Sequence, residues 1–294
     1  MKKNYFLLIG YSNIARKRII NVFLKKKIPF CVASKSFNKK IKGAKKQFLD
    51  YEDALNNSGA NIAYISLPNS LHFNLAKKAL LLGYHVLIDK PMCYKLSQSR
   101  ELISLAKKNK RLLSEAIFYN YHDQIKKIIH LLKGKDQIKH IKVNFTIPLP
   151  PKNSLLMSKK LRGGVIMDMG PYAASIQRIF FNQNITYMSV IFKKNKDNLP
   201  TAFKLNIKYN DKKYSGLFKF GGQYINQVDF FTDKQKLSIE RVFSPPEDIR
   251  LNLRIIKKNK TKTKKLKKDN CFENYLFEII NKINNKKYSY YYKQ

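Results

Sequence analysis

Tryptophan is absent from this sequence, cysteine is rare, and acid is scarce beside the basic residues. Its 294 residues hold 3 Cys and 19 Asp and Glu, against 59 Lys and Arg. Cys31, Cys93 and Cys271 lie far apart and form no CxxC or Cys/His spacing. A disulfide framework and a cysteine-built metal centre are therefore not expected, and a reducing, cytoplasmic setting is. No apolar run approaches the length of a transmembrane span, so no membrane partner is expected. The run Tyr5–Ile9 behind Met1-Lys2-Lys3 is too short for a signal peptide and meets Ser12, Asn13 and Arg16, so it reads as a first strand. The formal charge of +40 is nearly all lysine and comes with abundant Asn, Ile and Tyr, the signature of an AT-rich coding sequence. Its densest run, Lys257–Lys268, has no aromatic side chain to stack on a base and reads as a solvated loop. Specific nucleic-acid binding is not expected.

What is present has rhythm. Tyr5–Ile9, Phe30–Ala33, Asn61–Leu67, His85–Asp89 and Leu112–Ala116 read as strands, separated by helical patterns at Ile14–Leu24, Leu71–Leu82 and Ser97–Lys108. Alternation of this kind implies parallel pairing through right-handed crossovers, hence a doubly wound Rossmann sheet over residues 1–120. Ligands of such a sheet bind at the carboxyl ends of its strands. From 121 to 294 the pattern changes. One helix runs to Leu132, a strand covers Ile138–Ile147, a helix falls near Val165–Phe181, and short alternating runs follow between 187 and 242. These predict an α+β domain with an open, mostly antiparallel sheet, closed by a last helix at Phe272–Ile283.

The chemistry sits at the strand ends. Gly10-Tyr11-Ser12-Asn13-Ile14-Ala15 joins the first strand to the first helix, where backbone amides and a helix N-terminus can meet a pyrophosphate. Ser12 stands at the second glycine position and is small enough for close approach. After the second strand, Ser34-Lys35-Ser36 replaces the acid that would hold a ribose 2′-hydroxyl, and no acid follows until Asp50. A hydroxyl and an ammonium suit a 2′-phosphate, so NADP(H) is favoured, with NAD(H) as the alternative.

Four further segments carry a resemblance: Ile65-Ser66-Leu67-Pro68-Asn69-Ser70-Leu71-His72, Val86-Leu87-Ile88-Asp89-Lys90-Pro91, Glu115-Ala116-Ile117-Phe118-Tyr119-Asn120-Tyr121-His122 and Gly163-Gly164-Val165-Ile166-Met167-Asp168-Met169-Gly170-Pro171-Tyr172. Together they resemble the glucose-fructose oxidoreductase / inositol dehydrogenase / rhizopine catabolism (Gfo/Idh/MocA) family over about residues 4–180. The resemblance implies a cofactor site along Gly10, Ser12, Asn13, Ile14, Ser34, Lys35, Leu67, Pro68, Asn69, His72, Asp89 and Lys90. It makes Lys90 of Asp89-Lys90-Pro91, an Asp-for-Glu version of the family motif, the catalytic lysine, paired with Asp168 and Tyr172. The spacing of Asp168 and Tyr172 puts both on one helix face independently of the resemblance. A Tyr acidified by a nearby ammonium can exchange the proton of a carbinol. Asp168 is also read as a substrate contact, together with Tyr119 and His122.

The implied activity is hydride transfer, without a metal, between the nicotinamide and a secondary alcohol or carbonyl of a sugar, sugar derivative or cyclic polyol. A retained-cofactor epimerase or lyase and a non-catalytic NADP-sensing regulator are the alternatives. The family also implies homodimers or homotetramers built through the open sheet face. The sequence ends without the further helix that many members carry.

Overall fold

The computed structural model describes residues 4–37, 40–181, 183–258 and 260–288. It divides into two compact units, one of Met1–Ala116 with Phe272–Gln294 and one of Ile117–Cys271. The division expected near residue 120 falls at 116/117. The last helix, placed by chain order in the second domain, groups instead with the first.

The first unit is a six-stranded parallel sheet: β1 (Phe6–Ile9), β2 (Phe30–Ala33), β3 (Ala44–Phe48), β4 (Ile62–Ile65), β5 (His85–Asp89) and β6 (Leu113–Ala116). Helix α1 (Ile20–Lys25), preceded by a π-helical turn at Ala15–Ile19, joins β1 to β2. The helices α2 (Tyr51–Asn57), α3 (Asn69–Leu81) and α4 (Leu96–Lys108) make the later crossovers. Strand order is β3-β2-β1-β4-β5-β6, so the winding reverses between β1 and β4, the topological switch point of a Rossmann sheet. Strands β1, β2 and β4 are buried at every position, which is why they read as unbroken apolar runs.

Two elements of this unit escaped the sequence reading. Strand β3, Ala-Lys-Lys-Gln-Phe, is an edge strand with both lysines exposed and Phe48 its one buried residue. Helix α2 buries Ala54 and Leu55 alone, too short a stripe to show periodicity, and is anchored by Asp50, which accepts the N–H groups of Glu52 (2.8 Å) and Asp53 (2.9 Å).

The second unit holds α5 (Asp123–Leu131), β7 (His140–Ile147), α6 (Val165–Phe180) and the strands β8 (Tyr187–Lys194), β9 (Pro200–Lys208), β10 (Lys213–Phe220), β11 (Ile225–Phe231), β12 (Lys236–Glu240), β13 (Asn252–Lys257) and β14 (Lys260–Lys265). The eight strands run in the order β14-β13-β12-β11-β7-β10-β9-β8. Only β7 and β10 pair in parallel. One face packs its alternate residues, such as Ile141, Val143, Phe218 and Phe230, against Met169, Ile176 and Phe180 of α6. The basic run read as a loop is in fact part of a hairpin, β13–β14. Because β14 is exposed at all six positions, no apolar alternation marks it in the sequence.

The final helix, α7 (Cys271–Asn284), buries Tyr275, Leu276 and Ile279 in the first unit. The Tyr275 hydroxyl donates to Ser114 Oγ of β6 (3.1 Å), and Glu273 takes Lys26 (2.6 Å).

His85 opens β5, buried, with Nδ1 accepting the Leu112 N–H (3.0 Å). Burial, with Arg111 adding to it, lowers its pKa from 6.5 to about 4. The unfolded chain therefore binds the extra proton first, and stability falls as pH drops from about 6.5 toward 4. We expect urea unfolding to show a loss of about 2 kcal/mol between pH 7 and pH 5 from this group. A His85→Gln variant should lack that share of the pH dependence; an unchanged slope would contradict the assignment.

Candidate active site

The turn after β1 is built around Gly10. Its φ is +99°, and a Cβ there would lie 2.2 Å from the Ser66 carbonyl oxygen, so both conformation and space require glycine. Ser12 Oγ accepts the Ala15 N–H (3.1 Å) and lies 2.6 Å from Ser66 Oγ. Ser66 in turn donates to Asp89 Oδ2 (2.5 Å), and the Tyr64 hydroxyl donates to Asp89 Oδ1. A carboxylate only accepts, so the hydrogens are ordered: Ser12 donates to Ser66, and Ser66 to Asp89. The Ser12 hydroxyl is thus spent inside the protein, on the end of β4. Asn13 and Ile14 stand exposed at the start of the helical turn, with Asn13 Oδ1 accepting from Arg16 (2.5 Å).

Asp89, Lys90 and Pro91 follow from β5, with a cis peptide between Lys90 and Pro91. Burial raises the Asp89 pKa, while the Ser66 and Tyr64 hydroxyls and the charges of His72 and Lys90 pull it down. Met92 N–H donates to Glu115 Oε1 (2.9 Å), holding the next residue of the loop. His72, fully buried in α3, has Nδ1 2.8 Å from the Pro91 carbonyl and Nε2 2.8 Å from the Leu67 carbonyl. Both partners are acceptors, so a ring nitrogen bonds its carbonyl only where it carries a hydrogen. His72 was read as a cofactor contact; its ring is instead a tie between the Leu67-Pro68-Asn69 turn and the Lys90-Pro91 loop.

At the end of β2, Ser34 is buried and donates to the Ser36 carbonyl (3.1 Å), while Lys35 is exposed, its ammonium 5.9 Å over the Tyr51 ring. Asp50, the first acid after this strand, is engaged as the α2 cap. Beside the same strand ends Tyr11 lies 6.3 Å from Phe37, with the Arg16 guanidinium 5.6 Å over its ring. Tyr11, Arg16 and Phe37 were not among the expected site residues. Of the three, Arg16 lies in the π-helical turn, which helical i, i+4 counting does not reveal.

In the second unit two glycines lead into α6. A Cβ on Gly163 would lie 2.5 Å from the carbonyl oxygens of both Leu155 and Leu156, and Gly164 has φ +95°. The helix then runs unbroken through Pro171, carrying Asp168 in its first turn and Tyr172 one turn later, both half-buried. The Tyr172 ring packs against Phe243 (5.1 Å), Phe145 (5.6 Å) and Tyr119 (5.9 Å).

The other two expected substrate contacts face inward. Tyr119 is buried with its hydroxyl on Ser175 Oγ (2.8 Å), and burial drives its pKa far up. His122 is buried and caps α5, Nδ1 accepting the Gln124 N–H (3.1 Å), with its pKa lowered by burial against the pull of Asp269 and Asp123. Tyr119 supports the Tyr172 ring and His122 orders a helix start, so neither side chain is presented to a ligand as read from the sequence.

Residues 5–117 match the family model described as an oxidoreductase family with an NAD-binding Rossmann fold. Over these residues, rather more than a third of its length, the chain is similar to the Gfo/Idh/MocA family. It is 24% identical over 200 residues to a dTDP-3,4-didehydro-2,6-dideoxy-alpha-D-glucose 3-reductase of Actinomadura kijaniata, a match covering 67% of this chain and 60% of that protein. Over 132 residues it is 29% identical to a D-xylose 1-dehydrogenase (NADP(+)) of Haloferax volcanii, covering 44% and 41% of the two chains. The fold is shared with a 3-ketoreductase from Actinomadura kijaniata solved in complex with TDP-benzene and NADP. There the TM-score is 0.91 at 19% identity, over 98% of this chain and 92% of the other.

The ordered hydroxyls make a direct test. Ser66→Ala leaves Asp89 short of a donor and the Ser12 hydroxyl without its acceptor, and should cost about 1–3 kcal/mol in urea unfolding. Adding Ser12→Ala should then cost much less than Ser12→Ala does alone. Strictly additive losses in this double-mutant cycle would show two independent hydroxyls rather than a chain.

Proposed function

We propose that the chain is an NADP(H)-dependent oxidoreductase that moves a hydride between the nicotinamide and a secondary alcohol or carbonyl of a sugar derivative, nucleotide sugars among them. The observation that carries this reading is the Asp89-Lys90-Pro91 loop. It leaves β5 beside the switch point, tied to β4 through Ser66 and Tyr64 and to α3 through His72. A lysine kept on so constrained a loop suits a group that must meet a reacting atom. The residues present fit NADP(H): Ser34 and Lys35 follow β2, and Asp50, which could otherwise oppose a 2′-phosphate, is turned to the α2 amides.

Bound NADPH supplies the hydride. Lys90 holds the substrate oxygen with its ammonium and stabilises the charge that grows there. Tyr172 serves as the proton donor on reduction and as the acceptor on oxidation. Asp168, one turn earlier on α6, accepts hydrogen bonds from neighbouring hydroxyls. The aromatic packing of Tyr119, Phe145 and Phe243 keeps the Tyr172 ring in one rotamer. A net charge of +40 favours an anionic substrate such as a sugar nucleotide, whose diphosphate is drawn to the basic surface. The Actinomadura kijaniata matches point the same way, a reductase named for a dTDP-sugar and a 3-ketoreductase solved with a TDP ligand.

Two outcomes test the proposal. NADPH should bind more tightly than NADH in calorimetry, with Lys35→Ala narrowing the difference; equal affinities unaffected by Lys35→Ala would remove the 2′-phosphate assignment. In a screen of NADPH oxidation against keto sugars and nucleotide keto sugars, Lys90→Ala and Tyr172→Phe should each lower turnover by roughly a hundredfold or more while cofactor still binds. Asp168→Asn should mainly raise KM. Near-parental turnover in Tyr172→Phe would eliminate it as the proton donor.

A further inference from the structure

Helix α6 has two sides that do different work. Ile166, Gly170, Ala174 and Arg178 are spaced by four and form one row along it. Asp168 and Tyr172 form a second row, offset by two residues and so about 200° away around the helix. The first row is small in its middle, and between it and the strands β9 and β8 lies a groove of about 610 Å³. Its floor is Phe203, Leu205 and Ile207 of β9 with their register partners Phe192, Val190 and Met188 of β8. Met188 and Phe192 are 58% and 48% exposed. This face of the sheet carries α6, so the groove is separate from the open face that the family resemblance implies for assembly. The polar groups gather at one end. There Gln177 and Tyr209 turn inward, the Tyr209 hydroxyl donating to Gln177 Oε1 (2.8 Å) and Gln177 Nε2 to the Ala173 carbonyl (2.6 Å). Arg178 beside them is the one charged side chain among the described residues of the lining, and it makes no ion pair with a described residue.

We propose that this groove is a second ligand site, which binds a free aliphatic carboxylate with its chain along the Ile166–Ala174 side of α6 and its head on Arg178. Shape and charge select this occupant together. An apolar concavity of this volume with a few polar groups at one place has the form of a small-molecule site. Ile166 and Arg178 stand twelve residues apart on the helix, about 18 Å, so the ligand is long and carries its polar head at one end. That head is an anion, because the lining offers a guanidinium and no acid. A guanidinium takes a carboxylate through two parallel hydrogen bonds, and the chain gains from each methylene it removes from water. Asp168 and Tyr172 face away from the groove, so the ligand is distinct from any substrate those residues meet.

Calorimetric titration of the full chain with octanoate, decanoate and dodecanoate, each below its micelle concentration, tests the proposal. One carboxylate should bind per chain, and each pair of added methylenes should tighten binding by roughly tenfold. Ala174→Phe, at an exposed helix position in the middle of the groove, should abolish binding with circular dichroism unchanged. Arg178→Gln should weaken dodecanoate by roughly tenfold and leave dodecanol where it was. Carboxylates held only by surface lysines would bind in several copies, without regard to chain length and undisturbed by Ala174→Phe, and that result would overturn the proposal. Equal affinity for dodecanoate and dodecyltrimethylammonium would overturn it too. A third contrary outcome is a changed sedimentation mass in Ala174→Phe, which would make the groove a contact between subunits. The chain-length series and Arg178→Gln decide the matter even if Ala174→Phe fails to fold.

Discussion

One half-buried carboxylate organises the cofactor end of the molecule. Asp89 terminates β5 and accepts hydrogen bonds from Tyr64 of β4 and from Ser66, the residue after it; Ser66 is in turn bonded to Ser12 of the turn after β1. Burying a carboxylate costs several kcal/mol unless it is paired and hydrogen-bonded, so the surrounding groups are required to keep their places. Three neighbouring strand ends, β1, β4 and β5, are thereby held in register at the edge of the sheet where ligands of this fold bind. His72 adds a fourth element by bridging the carbonyls of Leu67 and Pro91.

This chain of hydrogen bonds makes sense of two departures from the motifs that the sequence resembles. A serine takes the second glycine position, and Asp takes the place of Glu before Lys90-Pro91. The serine hydroxyl acts as a local cap on the Ala15 amide and as the first donor in the chain that ends on Asp89. The shorter Asp keeps its carboxylate close to its own strand, within reach of Tyr64 and Ser66 on the neighbouring one. Neither change need weaken the site, because each supplies the other's hydrogen-bonding requirement.

The second unit solves a different problem, the rigid display of Asp168 and Tyr172. Gly163 permits the chain to pass against two carbonyl oxygens, and α6 then buries its apolar stripe on the sheet. The aromatic cluster of Tyr119, Phe145, Tyr172 and Phe243 fills the space beside the helix. Packing of this density fixes the Tyr172 ring before any ligand arrives, which lowers the entropy lost in ordering it during reaction.

By itself the sequence determined the parallel sheet, the change of architecture after residue 120 and the family resemblance. Buried strands leave unbroken apolar runs, and strand-end motifs such as Asp89-Lys90-Pro91 are local in the chain. It also put Asp168 and Tyr172 on one helix, since i, i+4 spacing is a local property. The tertiary structure alone decided the rest. Strands β3 and β14 carry their lysines into solvent and have no pattern to read, and α7 joins the first unit through contacts with Ser114 and Lys26 far away in sequence. His72, His122 and Tyr119 looked like ligand contacts because polar and aromatic residues near a motif invite that reading. Their partners, Pro91, Gln124 and Ser175, show where their hydrogen bonds go. Which way a buried polar side chain turns depends on acceptors and donors that only folding brings within 3 Å, and no spacing along the chain encodes that.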